Sequence, residues 1–146
     1  MGSKNSQGWQ AKVKLVADTN ILFSFFWKNS ITRKLLLTLE IEFTSPEIAE
    51  KELKKYSDEI IRKAGITKET YHKELKHLKE IVKFTNKKEY ATFIEEARKI
   101  TPDEDDAEFF ALCLKHSCFL WSNDSLLKNQ EKIKVLSTEE VINSIF

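Results

Sequence analysis

Short apolar runs of strand length alternate along this chain with longer stretches whose apolar residues recur every three or four positions. Residues 13–17 (VKLVA) form a β-rich run, and Asp18 follows as a cap for a helix through Ile21–Trp27. A second helical stretch, Thr32–Leu39, leads to a strand at Ile41–Phe43. Ser45 then stands as a cap before Pro46 at the first helical position, and this helix is expected to run to Gly65 as its stop. Thr67 starts another over Lys68–Glu80, ahead of a brief strand at Ile81–Phe84. Lys88–Ile100 is helical in pattern. Thr101-Pro102-Asp103-Glu104 combines a capping box with a proline at the first helical position, so a helix is expected from Pro102 to His116. Cys118–Trp121 reads as the central buried strand, Lys134–Leu136 as a last short one, and Ser137–Glu140 as the cap of a terminal helix. Such alternation predicts an α/β fold, in which βαβ units build a mainly parallel sheet with helices on both faces.

Two of the strands end alike. LVADTN at residues 15–20 and FLWSND at residues 119–124 each bring an apolar run to a stop at an aspartate, Asp18 and Asp124. As neighbouring parallel strands they would bring both carboxylates to the crevice outside the strand carboxyl ends, where α/β proteins place ligands. Converging carboxylates repel unless a cation lies between them. Helical phase sorts the remaining acids. At about 100° per residue, Ala49, Leu53, Tyr56 and Ile60 form an inward stripe with Glu52 roughly 60° to one side; Glu50 holds the other flank in reserve and Glu47 points nearly opposite. With Ala107, Ala111 and Leu114 inward on the helix from Pro102, Asp103 and Asp106 share one side and Asp105 projects away. Each acid also has a plainer role: Asp18 as a helix cap, Asp124 in an Asx turn, Asp103 against a helix dipole, Glu52 on a solvated face. Taken singly the plainer role is the stronger one for each. The joint pattern argues for a site.

Composition narrows the picture. At 146 residues the chain fits one domain with a sizeable core. Residues 12–146 are expected to form it, and the polar residues 1–11 to be a flexible or artificially added tail in which Trp9 has no assigned role. With 41% hydrophobic and 32% charged residues, three glycines and two prolines, the sequence describes a soluble, helix-rich domain. A formal net charge of +1 argues against holding nucleic acid mainly through a strongly basic surface, though local patches stay open. Lysines crowd residues 51–88 with glutamates among them, ordinarily a solvated face. Cys113 and Cys118 form no CxxC pair, and His72, His77 and His116 make no metal-ligand spacing with them, so reduced thiols and no zinc are expected. No stretch approaches a membrane span or a signal peptide, which points to a cytoplasmic protein without membrane contact. Phe23, Phe25, Phe26, Trp27, Leu35, Leu36 and Leu37 exceed what one helical face buries, which leaves either a thick aromatic core or an exposed interface patch.

Oxygen ligands without nearby histidine or cysteine suit a hard cation, Mg²⁺ or Mn²⁺, and the chemistry such a site favours is phosphodiester hydrolysis. Asp18-Thr19-Asn20 after the first strand, Ser45-Pro46 followed by Glu52, Asp103 and Asp106 leading into a helix with Ala111-Leu112, and Trp121-Ser122-Asn123-Asp124 together resemble the ordered acidic motifs of PIN-domain nucleases. The resemblance covers residues 13 to about 142. It implies a three-layer α/β/α sandwich around a central parallel sheet, a divalent-metal site and endoribonuclease activity on RNA. By motif, Asp18, Glu52, Asp106 and Asp124 would be the acidic core, Asp103 an additional acid, and Asn20 and Ser122 polar residues that orient it. Asp18, Asp103, Asp106 and Asp124 are thereby the expected metal ligands. Cys113 stands where the family often has a small apolar residue and Asn123 where glycine is common; neither removes a ligand. The resemblance also implies an antitoxin or an RNA-processing protein as partner, and self-association as a homodimer.

A haloacid-dehalogenase-like phosphatase needs a second acid two residues after the first, where this chain has Asn20. A receiver domain needs an acidic pair after its first strand and a lysine after its last, and neither is evident. The reading from another class is a PIN-fold module that binds RNA or protein without cutting, which fold alone does not exclude.

Overall fold

A strand covered on both faces loses in-out alternation, and the first apolar run behaves this way: Leu15, Val16 and Ala17 are all buried. In the computed structural model, which describes residues 13–145, this run is β1, Lys14–Ala17. The tail expected over residues 1–11, Trp9 included, lies outside the described residues. β1 pairs on one side with β2 (Glu42–Pro46) and on the other with β4 (Phe119–Trp121). β3 (Val82–Thr85) flanks β2, and β5 (Val135–Leu136) flanks β4. Every pairing is parallel, in the order β3-β2-β1-β4-β5.

Helices cover both faces, giving the three-layer α/β/α sandwich: α1 (Thr19–Phe23), α2 (Ile31–Thr38), α3 (Glu47–Lys55), α4 (Ser57–Ala64), α5 (Lys68–Ile81), α6 (Ile94–Ile100), α7 (Ala107–His116) and α8 (Thr138–Ile145). α7 is the most enclosed. Phe109, Phe110, Ala111, Leu112 and Cys113 are buried in succession, as an all-round apolar helix must be. Part of the core is aromatic, with Phe26 stacked on Tyr71 at 5.2 Å between ring centres and Phe43 against Trp121 at 5.9 Å. Phe25, Phe26, Leu35 and Leu36 are buried there, Phe23 and Trp27 are half-buried, and Leu37 is exposed. The thick core thus absorbs most of that apolar excess. None of the helices among the described residues is long and apolar enough to cross a membrane.

Several boundaries differ from the sequence reading, each for a tertiary reason. The second strand starts one residue later and ends three later than Ile41–Phe43, because Thr44 and Ser45 pair into the sheet; Ser45 is a strand residue and not a helix cap. The helix expected as far as Gly65 breaks at Tyr56, which is 40% exposed rather than inward, and its ring meets Phe23 edge-on at 6.3 Å. Lys88–Ile100 opens as two 3₁₀ turns around Tyr90, which is fully buried and donates its hydroxyl to Glu108 at 2.5 Å; α6 begins only at Ile94. The capping box at Thr101 does not form. Thr101 Oγ1 turns to the Asp103 backbone, Asp103 caps a 3₁₀ turn over Glu104–Asp106, and α7 starts at Ala107. The Ser137–Glu140 box does form, with Ser137 Oγ accepting from Glu140 N at 3.1 Å and Glu140 Oε1 accepting from Ser137 N at 3.0 Å.

Gly65 ends α4 in the left-handed region at φ 67°. An added Cβ would meet nothing within 4 Å, so the whole cost of Gly65→Ala is backbone strain. We expect a loss of about 1 kcal/mol, read by denaturant unfolding with an unchanged fold.

Candidate active site

After β1 the chain steps outward through β2 and β3, then returns to add β4 on the opposite side of β1. The carboxyl ends of β1 and β4 therefore flank the switch point of the sheet, where helix connections diverge and leave a crevice. Ala17 and Trp121 are partners in register, so the residues that follow them emerge side by side. Asp18 N donates to the Trp121 carbonyl at 3.0 Å. Ser122, 1% exposed, donates its hydroxyl to Asp18 Oδ2 at 2.6 Å and accepts from Asp124 N at 3.1 Å. One hydroxyl thus joins the acid after β1 to the backbone of the acid after β4.

Asp18 occupies the N-cap position of α1, yet its carboxylate completes no cap hydrogen bond and turns to Ser122. Burial pushes its carboxyl above the ordinary 3.8; the Ser122 hydroxyl and the adjacent Thr19 and Asn20 amides pull it back, and the Asp124 carboxylate adds to the rise. Asp106 ends the 3₁₀ turn before α7 and is half-buried. Its carboxyl is pushed up to about 7, first by burial and then by the carboxylates of Asp18, Asp103, Asp124 and Asp105. Asp103 Oδ1 accepts from Asp105 N, and Asp124 Oδ1 from Leu126 N, both at 3.0 Å. The plainer turn-forming roles of these two acids are real, and each keeps a second oxygen for other use. Asp103 and Asp106 precede the helix rather than lie along its face, so helical phase does not set their positions; Asp105 belongs to the same electrostatic group.

Glu52, half-buried on α3, accepts from Thr19 Oγ1 at 2.7 Å, which ties it to the residue beside Asp18. Glu50 is committed elsewhere. It pairs with Lys79 at 2.7 Å and Lys54 at 3.0 Å, and against the opposing effect of burial these lysines hold its carboxyl below 4.5. Asn20 is exposed, and its side chain makes no hydrogen bond to an acid among the described residues; it lines a neighbouring groove. Nothing in the sequence alone marks Thr19 and Ser45 as orienting residues of the site. Ser45 Oγ donates to the Ala17 carbonyl at 2.8 Å and fixes the end of β1. Both bonds join residues about thirty positions apart, and only the alternation of polar residues with Asp18 and Pro46 hinted at them.

No salt bridge neutralises any acid of this cluster among the described residues. Glu50, Glu59, Glu74, Glu89, Glu104 and Glu140 each pair with a lysine or arginine, whereas Asp18, Glu52, Asp103, Asp106 and Asp124 pair with none among the described residues. The chemistry of this donor set, oxygen-only and short of positive charge, fits a hard divalent cation. Among the described residues no three acids, histidines or cysteines already converge closely enough to form a metal group. A cation would have to draw the acids together or be held partly through water.

Ser122→Ala should remove both hydroxyl contacts from a buried position. We expect a loss of about 1–3 kcal/mol in unfolding free energy and a 10–100-fold fall in any activity that depends on Asp18, larger than the stability loss explains at a temperature where the variant stays folded.

The sequence matches the family described as PIN domain over residues 16–142. Among solved structures, the fold is similar to a chain in the crystal structure of VapBC2 from Rickettsia felis bound to a DNA fragment from their promoter. The TM-score is 0.67 at 13% identity, and the match covers 86% of this chain and 98% of that one. Comparison with curated proteins gives no match.

Proposed function

Since the chain belongs to the PIN-domain family, we propose that it is an endoribonuclease dependent on Mg²⁺ or Mn²⁺, acting on single-stranded RNA through Asp18, Glu52, Asp106 and Asp124. The observation that carries this reading is the gathering of carboxylates without ion pairs at the switch point of the sheet, where Ser122 joins Asp18 to the Asp124 backbone and Thr19 joins Glu52 to the same strand end. Asp18, Asp106 and Asp124, with Asp103 in addition, are the proposed ligands. A bound divalent cation would supply activated water and neutralise charge building on the phosphate oxygens. The chain's own part is positional: Ser122 holds the Asp18 carboxylate, Thr19 holds Glu52, and the Asx turn holds Asp124. Asn20 would orient substrate at the exposed edge. Mn²⁺ soaked into crystals should give anomalous density between Asp18, Asp106 and Asp124, and Asp18→Ala should lose RNA cleavage. Density elsewhere, or cleavage unchanged, removes the reading.

The open spacing of the acids favours a second reading, a silent PIN-fold module that binds RNA or protein. Similarity to a chain of VapBC2 supports an antitoxin-type partner, with an RNA-processing partner as the other proposal. A cytoplasmic location is part of the same proposal. Lysines of residues 51–88 would steer the RNA, although Lys54, Lys63, Lys79 and Lys83 already pair with glutamates. The proposed homodimer now draws on Ile31, 51% exposed, and Leu37, 42% exposed, of α2. A dimeric mass by sedimentation at tens of micromolar is the expected result, and a monomeric mass removes it.

A further inference from the structure

Two adjoining cavities, of about 330 and 700 Å³, share Asn20, Phe23 and Trp27 and form one groove between α1 and α4. Their sizes fall in the ~300–1,000 Å³ range of small-ligand sites. Tyr56 closes the first cavity, its ring edge-on to Phe23, and Lys28 borders the second. Three aromatic side chains are therefore at least partly open to solvent in one groove: Phe23 and Trp27 half-buried, Tyr56 40% exposed.

The groove begins where the acids end. Asn20, which lines both cavities, lies two residues after Asp18 on the same helix start, so a polymer whose reacting phosphate sits against the acids can carry its next units into the groove. The charge along the groove is the reverse of that at the acids. Lys28 is exposed at one side, Lys63 lines the other, and Lys55 sits with Nζ 5.4 Å from the Tyr56 ring centre. The one carboxylate in the lining, Glu59, is paired with Lys63 at 2.7 Å. Flat rings bordered by ammonium groups suit alternating bases and phosphates, because every base offers a π-face and every phosphate a negative charge. An apolar protein segment would use the rings but would gain nothing from the lysines.

We propose that this groove is a stacking subsite for unpaired nucleotides flanking the cleaved phosphate, with Tyr56 and Trp27 as stacking platforms and Lys28 and Lys55 meeting the backbone. It rests on the ribonuclease reading for the position of the phosphate, while base binding itself needs no cleavage.

The test is fluorescence anisotropy of the full chain with a labelled 12-nucleotide oligoadenylate in EDTA, intactness checked on a gel, beside an abasic strand of equal length. The parent should bind the base-bearing strand about tenfold or more tighter than the abasic one. Tyr56→Leu and Trp27→Leu should each remove most of that preference, and Tyr56→Phe should keep it. Tyr56 is exposed at a helix junction, so Tyr56→Leu with an unchanged melting curve remains decisive even where Trp27→Leu fails to fold. Equal parent affinity for both strands, no measurable parent binding, or an unchanged preference in Tyr56→Leu overturns the proposal and leaves the groove to a protein segment or a second copy of the chain. The two readings fail separately. Cleavage that survives Asp18→Ala removes the catalytic assignment and leaves this binding result standing, whereas loss of base preference with metal-dependent cleavage intact removes only the groove.

Discussion

Asp18→Asn is expected to abolish RNA cleavage, by about 10³-fold or more, while leaving the metal-free protein as stable as the parent or more so. The two effects have one cause. Asp18 is 9% exposed, and burial raises its carboxyl, so carrying a negative charge there costs folding energy. Asparagine keeps the shape and an oxygen that can accept the Ser122 hydroxyl, but it neither repels Asp106 nor attracts a cation. A residue kept for structure would show the opposite, with stability lost on substitution and activity falling only in proportion. Asp124→Asn should also lose cleavage, with less gain in stability because Asp124 is exposed. Thermal melts in EDTA beside single-turnover cleavage of a labelled RNA separate these cases.

The second large effect is in pH and metal. Asp106 titrates near 7 in the folded protein against an ordinary 3.8, so folding favours its protonated form. The associated stability is fully present below about pH 4. It is lost progressively as the pH rises towards 7, because the unfolded chain ionises this group freely and the native chain does not. Asp18, also raised, acts in the same direction. Solvent at the half-buried Asp106 limits the loss from this group to about 1–2 kcal/mol, or ~3–8 °C in melting temperature. Metal-free protein should therefore melt lower at pH 8 than at pH 5. Mn²⁺ binds the ionised acids, so it should stabilise the protein most at pH 8, by about 2.7 kcal/mol in unfolding free energy at a hundredfold excess over its dissociation constant. Asp106→Asn should flatten the pH dependence and blunt the Mn²⁺ effect. A melting temperature that rises from pH 5 to 8 without metal would contradict the electrostatic account.

How far the sequence foretold this molecule depends on the range of the interaction involved. β1 and β4 were legible because apolar runs that stop at an aspartate are local patterns, and strand–helix alternation led to the parallel sheet. Gly65 and Thr67 were legible as a stop and a start for the same reason. The break at Tyr56 was not, since residues 47–64 contain no glycine or proline and the partner ring, Phe23, comes from another helix. Nor was the late start of α7. Thr101-Pro102-Asp103-Glu104 satisfies the capping-box pattern, but the Asp103 side chain prefers the Asp105 amide two residues on. Among the acids, helical phase favoured Glu52 over Glu50, and the structure gives a physical reason for that order: Glu50 is held by two lysines while Glu52 faces Thr19. The tie between Asp18 and Ser122 spans 104 positions, and no periodicity carries such a distance.

Cleavage of end-labelled single-stranded RNA by the purified chain, run in parallel with Mn²⁺ and with EDTA, tests the central claim most directly. Discrete internal cuts with Mn²⁺, none in EDTA, and none from Asp18→Asn with Mn²⁺ are the expected result. Cuts that are equally fast in EDTA, or no cuts from folded parent protein that demonstrably binds Mn²⁺, would contradict it.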